Sequence, residues 1–253
     1  MKLHSEFVGS GRSIAFLHGF TQTGRSWQPV LDAANFSMRA QLLDAPGHGS
    51  TQFADRDLPQ IALDIVETMS PGVLVGYSMG ARMALHAALT RSTKITALCL
   101  ISGTAGLETQ EEREQRIQQD NDLAIRIENI GVPAFIDEWL ANPLFEGLSD
   151  STNQRDDRLR NTATGLATSL RMAGTGTQMP LWDTLHTITI PVLIIAGERD
   201  TKFVNLAHEL AAKIANSELH VMHGVGHTAH LEDPDRFVEI LESWLSKCDE
   251  KPE

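Results

Sequence analysis

The chain has 253 residues, which is enough for one large domain with a well-buried core. Hydrophobic residues make up 42% of it and charged residues 21%, a composition that is ordinary for a soluble globular protein. The formal net charge of −12 disfavours non-specific binding to nucleic acid or to an anionic membrane.

The N-terminal residues, the apolar windows and the two cysteines bear on the cellular compartment. Residues 1–6 contain no apolar stretch of the kind found in a signal peptide, and no window approaches the ~18 apolar residues of a membrane span. Cys99 lies in an apolar run and Cys248 in a polar tail, so a disulfide framework is not indicated. We therefore expect a cytoplasmic protein without a membrane span, a monomer or weak homo-oligomer with a small-molecule partner.

Short apolar runs alternate with helical patterns along most of the chain. The runs that end at Gly or at a polar turn are predicted as buried strands, at 13–17, 40–43, 72–76, 95–101, 191–196 and 218–222. The intervening patterns are predicted as helices, at 58–69, 79–90, 205–215 and 234–246. This alternation predicts an α/β fold in which helices flank a mostly parallel central sheet.

The region from 103 to 180 breaks the alternation, because it has helical periodicity and no convincing strand. Helices are predicted at 108–130, 133–140 and 157–172. They are either extra packing helices or a lid over the strand ends, and we favour a lid because the motifs below converge on that edge. The predicted division is a core of 1–103 and 181–253 with a helical lid at 104–180, and 247–253 is expected to be a frayed tail.

A nucleophile motif lies where the third predicted strand meets a helix. Gly76–Gly80 matches G-x-S-x-G in the strand–turn–helix context that this motif requires, which makes Ser78 the candidate nucleophile or base. An ordinary strand–helix turn is the alternative. Because a serine hydroxyl is weak by itself, the motif also predicts an imidazole partner elsewhere in the chain.

His227 is the predicted partner, since it follows the last predicted strand in a Gly-x-Gly-His turn. His223 and His230 compete with it. The acid that would orient the imidazole is predicted to be Asp200, directly after the strand at 191–196, although Asp200 could instead begin the next helix. The chain order Ser, Asp, His is that of α/β-hydrolases.

Two backbone N–H groups are predicted to stabilise an oxyanion. Phe20 follows the first predicted strand in a His-Gly-Phe turn, and Met79 begins the helix after Ser78. His48 lies in a loop that we expect to be structural. None of the ten histidines shows H-x-x-x-H spacing with an acidic partner, although His223, His227 and His230 could cluster. The chain has neither G-x-G-x-x-G nor a P-loop, so no metal and no cofactor are predicted.

Several strings resemble one group within the α/β-hydrolases, the 2-succinyl-6-hydroxy-2,4-cyclohexadiene-1-carboxylate synthases of menaquinone biosynthesis. The resemblance covers residues 13–245 and rests on six segments: 76–82, 111–116, 139–145, 169–176, 180–182 and 197–203. It implies an α/β-hydrolase fold and a lyase that expels pyruvate by a 2,5-elimination, in which Ser78 acts as the base.

The resemblance also implies a polycarboxylate substrate, and this explains basic residues at particular positions of an acidic chain. Arg82, Arg116, Arg160 and Lys202 are the candidate substrate cations, because guanidinium groups match carboxylates bidentately. Arg113 could replace Arg116, and Arg171 could replace Arg160. Tyr77 and Trp139 are expected to form an aromatic wall or to donate a hydrogen bond, although Tyr77 could also be a packing residue.

Two other functions stay open on the sequence. A serine hydrolase acting on an ester or carbon–carbon bond would use the same Ser, Asp and His. A non-enzymatic protein that binds a small acid or a partner would use none of them, and the intact Ser-Asp-His set argues against it.

Overall fold

A twisted sheet organises the molecule. The computed structural model describes residues 1–51 and 55–249, and within them seven strands form one sheet in the order β1-β3-β2-β4-β5-β6-β7. The strands are β1 (Ser5–Gly9), β2 (Arg12–Leu17), β3 (Met38–Leu43), β4 (Gly72–Tyr77), β5 (Ile95–Ile101), β6 (Val192–Gly197) and β7 (Ser217–Met222). In this described part β1 pairs antiparallel with β3, and the other pairings are parallel.

Helices cover both faces of the sheet. They are α1 (Gln28–Ala33), α2 (Leu58–Thr68), α3 (Met79–Leu89), α4 (Gln110–Leu140), α5 (Arg155–Arg158), α6 (Ala163–Ala173), α7 (Thr201–Lys213), α8 (Ala229–Glu232) and α9 (Pro234–Asp249). One face packs against α2, α3 and α7, and the other against α1 and α9. Successive strand residues such as Leu98 and Cys99 enter opposite cores, as the strand period of two requires.

The α/β alternation predicted from the sequence is confirmed, and the six predicted strands are present with ends shifted by at most two residues. The prediction missed β1, a five-residue strand at the sheet edge whose exposed side chains give no apolar run. The predicted helix at 205–215 begins earlier, at Thr201. Of the tail predicted to fray, 247–249 belong to α9, and 250–253 lie outside the described residues.

The helical insertion, which we define as α4, α5 and α6, lies between β5 and β6 in the chain. Its helices α4 and α6 share a small core of their own, which includes Ile127, Phe135 and Leu166. The predicted helix at 157–172 is two helices, because Thr162 caps α6 by accepting the Gly165 N–H at 3.0 Å. The proposed division of the chain into core and lid stays a prediction.

The parallel strands bring the predicted motifs to one edge. Loops after the carboxyl ends of β2, β4 and β6 carry Phe20, Ser78 and Asp200, and the loop after β7 carries His227. In a parallel sheet these ends lie at the same edge, which is where such folds bind ligands. No helix in the described ranges is long and apolar enough to cross a membrane.

Candidate active site

Ser78 lies at a sharp turn between β4 and α3. Its φ of 51° and ψ of −105° are unfavourable for a residue with a side chain. A Cβ on Gly76 would collide with the carbonyl oxygen of Gly80, and a Cβ on Gly80 would collide with that of Leu17. The two glycines therefore let strand and helix approach closely enough to present the Ser78 hydroxyl at the sheet edge.

His227 lies between the serine and the aspartate. Its Nε2 is 3.1 Å from Ser78 Oγ, and its Nδ1 is 2.7 Å from Asp200 Oδ2. Because the carboxylate can only accept, Nδ1 carries the proton, and Nε2 is free to accept the Ser78 hydroxyl proton. The imidazole is 3% exposed, so water is largely excluded from this chain of hydrogen bonds.

The Asp200 carboxylate makes both of the contacts that the sequence left open. One carboxylate oxygen bonds His227, and the other, Oδ1, accepts the Phe203 N–H at 3.2 Å and so caps α7. The cap fixes the carboxylate against the helix N-terminus, where a negative charge is stabilised. The helix thereby holds the acid in place for the imidazole.

The competing histidines of the same loop lie elsewhere. The His223 side chain is 79% exposed and pairs with Glu198 through Nδ1 at 2.7 Å. His230 is buried with its ring 4.4 Å from that of Tyr77, and burial lowers its pKa to about 3. His48 is also buried, with its pKa lowered to about 3, and its Nδ1 bonds the Pro46 carbonyl at 3.1 Å.

Phe20 and Met79, the residues predicted to supply the oxyanion N–H groups, both line the cavity beside Ser78. Met79 is the first residue of α3, where N–H groups have no acceptor within the helix. His18 supports the Phe20 loop, since its Nε2 accepts the Ala45 N–H at 3.0 Å and its Nδ1 donates to the Gly19 carbonyl at 2.7 Å. Two donors at these positions are suited to stabilising a developing oxyanion.

A cavity of about 260 Å³ opens beside the serine hydroxyl. Among the described residues, its charged lining consists of Arg82, Arg116, Arg158, Lys202 and the Asp200 of the triad. Four cations around one carboxylate make this cavity locally positive in a chain whose net charge is −12. Such a cavity attracts anions and opposes the binding of cations.

Arg82 is the buried cation that follows the serine most closely in the chain. It is 7% exposed, lies one turn after Ser78 on α3, and donates to the carbonyl oxygens of Ala173 and Gly174 at 3.1 and 3.3 Å. Burial and, to a smaller extent, the positive charge of the nearby Arg116 lower its pKa to about 10. At neutral pH the guanidinium therefore stays charged, and its hydrogen-bond acceptors among the described residues are all neutral oxygens.

Arg116 and Lys202 also line the cavity, the first from α4 and the second from α7. Arg116 projects from α4 and is held by Asp120, whose Oδ1 accepts its Nε–H at 2.8 Å. Lys202 is exposed in the first turn of α7 and also lines an adjoining cavity of about 650 Å³. Lys202 therefore lies where the two cavities meet.

The arginine predicted in the segment before α6 needs correction. Arg160 is not among the cavity-lining residues, and its guanidinium bonds Asp157 at 3.1 Å and Thr23 at 3.4 Å. Arg158, two residues earlier, lines the cavity instead. The sequence could not separate them, because it predicted a single helix that contains both. In the structure α5 ends at Arg158, and the side chains of the two arginines therefore point in different directions.

The proposed substitutes also lie outside the cavity. Arg113 donates to the carbonyls of Leu107 and Glu108, and Arg171 pairs with Glu128 through Nη1 at 2.6 Å. Trp139 and Tyr77 both line the cavity. Within the described chain, no group of three or more His, Cys, Asp or Glu residues could hold a metal ion.

Comparison with known proteins agrees with this geometry. Residues 14–240 match the model of the alpha/beta hydrolase family. The chain belongs to the α/β-hydrolase family.

Among its relatives, this α/β-hydrolase is 36% identical to a putative 2-succinyl-6-hydroxy-2,4-cyclohexadiene-1-carboxylate synthase of Bacillus subtilis, over 95% of the chain and 93% of that protein. The synthase of Salmonella paratyphi C is 32% identical over 95% and 98%. The solved structure of MenH from S. aureus superposes with a TM-score of 0.87 at 30% identity, over 97% of this chain and 99% of that one.

The α/β-hydrolase site contains one cation that sequence reasoning missed. Arg158 is 1% exposed and bonds the Asn153 carbonyl at 2.9 Å, the Phe20 carbonyl at 3.5 Å and the Thr21 hydroxyl. Burial lowers its pKa to about 10. The only signal for it was a run of arginines at 155–160, and the run did not indicate which one turns inward.

Aromatic rings complete the wall of the α/β-hydrolase cavity. The Trp139 ring lies 5.4 Å from Phe20 and 5.6 Å from Phe145, and Tyr77 lies 5.5 Å from His227. Tyr77 is 3% exposed, and burial raises its pKa above the ordinary value for a tyrosine. It stays neutral and can only donate or accept as a phenol.

Proposed function

We propose that this α/β-hydrolase is the lyase that converts 2-succinyl-5-enolpyruvyl-6-hydroxy-3-cyclohexene-1-carboxylate into 2-succinyl-6-hydroxy-2,4-cyclohexadiene-1-carboxylate and pyruvate. The observation that carries the proposal is the set of four cations around a Ser–His–Asp triad. The proposed substrate has several carboxylates and needs fixed positive charge, whereas a small neutral ester needs none.

In the proposed mechanism the triad removes a proton from carbon. Ser78 Oγ is the base, and His227 Nε2, 3.1 Å away, accepts the hydroxyl proton as Oγ takes the ring proton. Asp200 stabilises the imidazolium that forms through its 2.7 Å bond to Nδ1. No acyl-enzyme is required, so water need not enter the site.

The electrons of the broken C–H bond then move through the ring. They shift the ring double bond and break the carbon–oxygen bond to the enolpyruvyl group, which leaves and becomes pyruvate when its carbon gains a proton. Negative charge develops meanwhile on an oxygen near the N–H groups of Phe20 and Met79. Loss of one such donor typically raises the barrier by about 3–4 kcal/mol.

The cations are proposed to divide the substrate carboxylates between two ends of the cavity. Arg82, Arg116 and Lys202 also line the adjoining cavity, whereas Arg158 and Trp139 line only the smaller one. A substrate with carboxylates at both ends would therefore be held across the serine. We propose that Tyr77 and Trp139 contact the apolar ring of the substrate, which lies between its carboxylates.

The helical insertion is proposed to act as a lid, with residues 104–180 as its extent. It contributes Arg116, Trp139 and Arg158 to the cavity, while the triad comes from the rest of the chain. Closing such an element over the substrate would exclude water and complete the binding site. Without the lid, an activated serine would be open to solvent.

Arg82→Ala tests the proposal against plain hydrolysis. Loss of a buried charged partner should lower pyruvate release about 10- to 100-fold, while hydrolysis of a small neutral ester changes little. Pyruvate release is followed by coupling it to NADH oxidation with lactate dehydrogenase. Arg171→Ala, which removes an arginine outside the cavity, is the matched control and should retain full activity.

A serine hydrolase of carboxylate-bearing substrates is the alternative, because the same triad and N–H groups serve ester cleavage. Rapid turnover of nitrophenyl esters, with no pyruvate released from the proposed substrate, would establish that alternative and end the lyase proposal.

A further inference from the structure

Glu232 is a buried carboxylate behind the catalytic histidine and has no place in the proton-transfer chain. It ends α8, five residues after His227, and its side chain is 2% exposed. A carboxylate this deeply buried is stable only if hydrogen bonds or charges satisfy its oxygens. Its partners therefore indicate what it does.

The two Glu232 oxygens hold the backbone on both sides of His227. Oε2 accepts the Gly226 N–H at 2.8 Å, and Oε1 accepts the Thr228 N–H at 3.2 Å and the Thr228 hydroxyl at 2.8 Å. One carboxylate thus fixes the residues immediately before and after the imidazole. Rotation of the His227 backbone would break at least one of these bonds.

The same carboxylate joins the histidine loop to the aspartate loop. Arg199, the residue before Asp200, donates its Nη2–H to Glu232 Oε2 at 2.9 Å. The backbones of the two loops also meet, because the Arg199 N–H bonds the Val225 carbonyl at 2.9 Å. Glu232 therefore touches both loops whose separation sets the His227–Asp200 distance.

The loop between α4 and α5 packs against this carboxylate. A Cβ on Gly147 would collide with Glu232 Oε2, so the chain after the 3-10 turn at Pro143–Phe145 lies directly on it. This cover keeps water from competing for the bonds to Gly226 and Thr228, and it strengthens them.

We propose that Glu232 is a positioning residue that sets the reach of His227 towards both Ser78 and Asp200 by clamping the flanking backbone and tying the two loops together. This inference rests on the proposed function only in that the triad does the chemistry. It concerns the geometry of the triad, whatever substrate the triad acts on.

Glu232→Gln tests the proposal. The amide oxygen can accept on one side of His227 only, and its NH₂ group would face an N–H donor on the other side. Because a displacement of about 1 Å in a catalytic group can lower a rate about 100-fold, we expect kcat to fall about 10- to 100-fold. The KM should stay within about twofold, since the cations are untouched.

A second readout needs no substrate. The rate at which a fluorophosphonate labels Ser78 should fall by a similar factor, because labelling depends on His227 taking the hydroxyl proton. If the wild-type protein releases no pyruvate but Glu232→Gln still slows labelling, the inference stands and the lyase proposal is rejected. Unchanged labelling would overturn the inference whatever the substrate is.

Glu198→Gln is the matched control. Glu198 is an exposed carboxylate that accepts the Gly224 N–H of the same loop at 3.0 Å, but it does not flank His227. This variant should keep wild-type kcat and labelling. Glu232→Asp, which retains the charge opposite Arg199 but is too short to reach both sides, guards against misfolding of the Gln variant. Unchanged labelling in the Asp variant would also contradict the proposal.

Discussion

Arg158 and Arg160 are two positions apart, yet they have different surroundings. Arg158 is buried and held by carbonyls and a hydroxyl, whereas Arg160 is half-buried and paired with Asp157. A buried guanidinium without a carboxylate partner has charge to offer to a ligand, and a paired one has little. The two residues are therefore of the same type, but we expect only Arg158 to bind a ligand carboxylate.

Arg158→Gln should weaken substrate binding while leaving the triad intact. Loss of a charge-assisted hydrogen bond worth about 1.5–3 kcal/mol raises KM about 10- to 100-fold, and kcat should fall less. Steady-state kinetics of pyruvate release measure both. Arg160→Gln should change KM by less than about twofold, because its ion pair is partly exposed. A larger effect at Arg160 than at Arg158 would reverse this assignment.

At the scale of elements, α4 is two helices that meet at Gly131. The glycine has φ 76° and ψ 167°, which interrupts the helix two residues before Pro133. A straight helix would separate Arg116 from Trp139 by about 35 Å, at 1.5 Å per residue. Arg116 and Trp139 nevertheless line the same cavity of about 260 Å³. The change of direction at Gly131 allows α4 to place both side chains there.

Gly131→Ala should raise KM several-fold and leave phosphonate labelling of Ser78 unchanged. A side chain is disfavoured at this φ and ψ by about 1–3 kcal/mol, so the angle between the two halves of α4 should change. Gly224→Ala is the control, because Gly224 also has a positive φ, 73°, and has open space around its Cβ position. A KM for Gly131→Ala equal to that of the control would show that the interruption does not shape the cavity.

For the molecule as a whole, buried neutral histidines link stability to pH. Burial lowers the pKa of His48 and His230 to about 3 and that of His86 to about 4. In the unfolded chain a histidine has a pKa of about 6.5, so between these values the unfolded state binds more protons. The contribution of these histidines to the free energy of unfolding is therefore fully present above about pH 6.5 and is lost as the pH falls towards 3.

Urea unfolding at several pH values should detect this loss. Each such histidine adds at most about 1.4 kcal/mol per pH unit below 6.5 to the decline in unfolding free energy. His230 lies against Trp27 and Tyr77, and neither ring nitrogen has a hydrogen-bond partner in the described part of the chain. In His230→Leu the unfolding free energy should fall less steeply with decreasing pH, by about the contribution of one histidine. His208 is exposed, so His208→Gln should leave the slope unchanged. Equal slopes in both variants would contradict the assignment.

The sequence by itself determined the sheet and the three motifs at its edge. Apolar runs closed by glycine are local signals, and so are the G-x-S-x-G turn and the Gly-x-Gly-His turn. Parallel strands then bring Ser78, Asp200 and His227 together without further information, because their carboxyl ends share one edge. The edge strand β1 escaped prediction, since an exposed five-residue strand has no apolar run to reveal it.

Only the tertiary structure decided which side chains face the cavity. Arg158 rather than Arg160 lines it, because α5 ends between them and α6 begins afresh at its Thr162 cap. Glu232 gave no sequence signal either, since its importance lies in contacts with loops that meet only in the folded chain. Orientation around a helix depends on where the helix begins and ends, and packing between distant segments fixes those points.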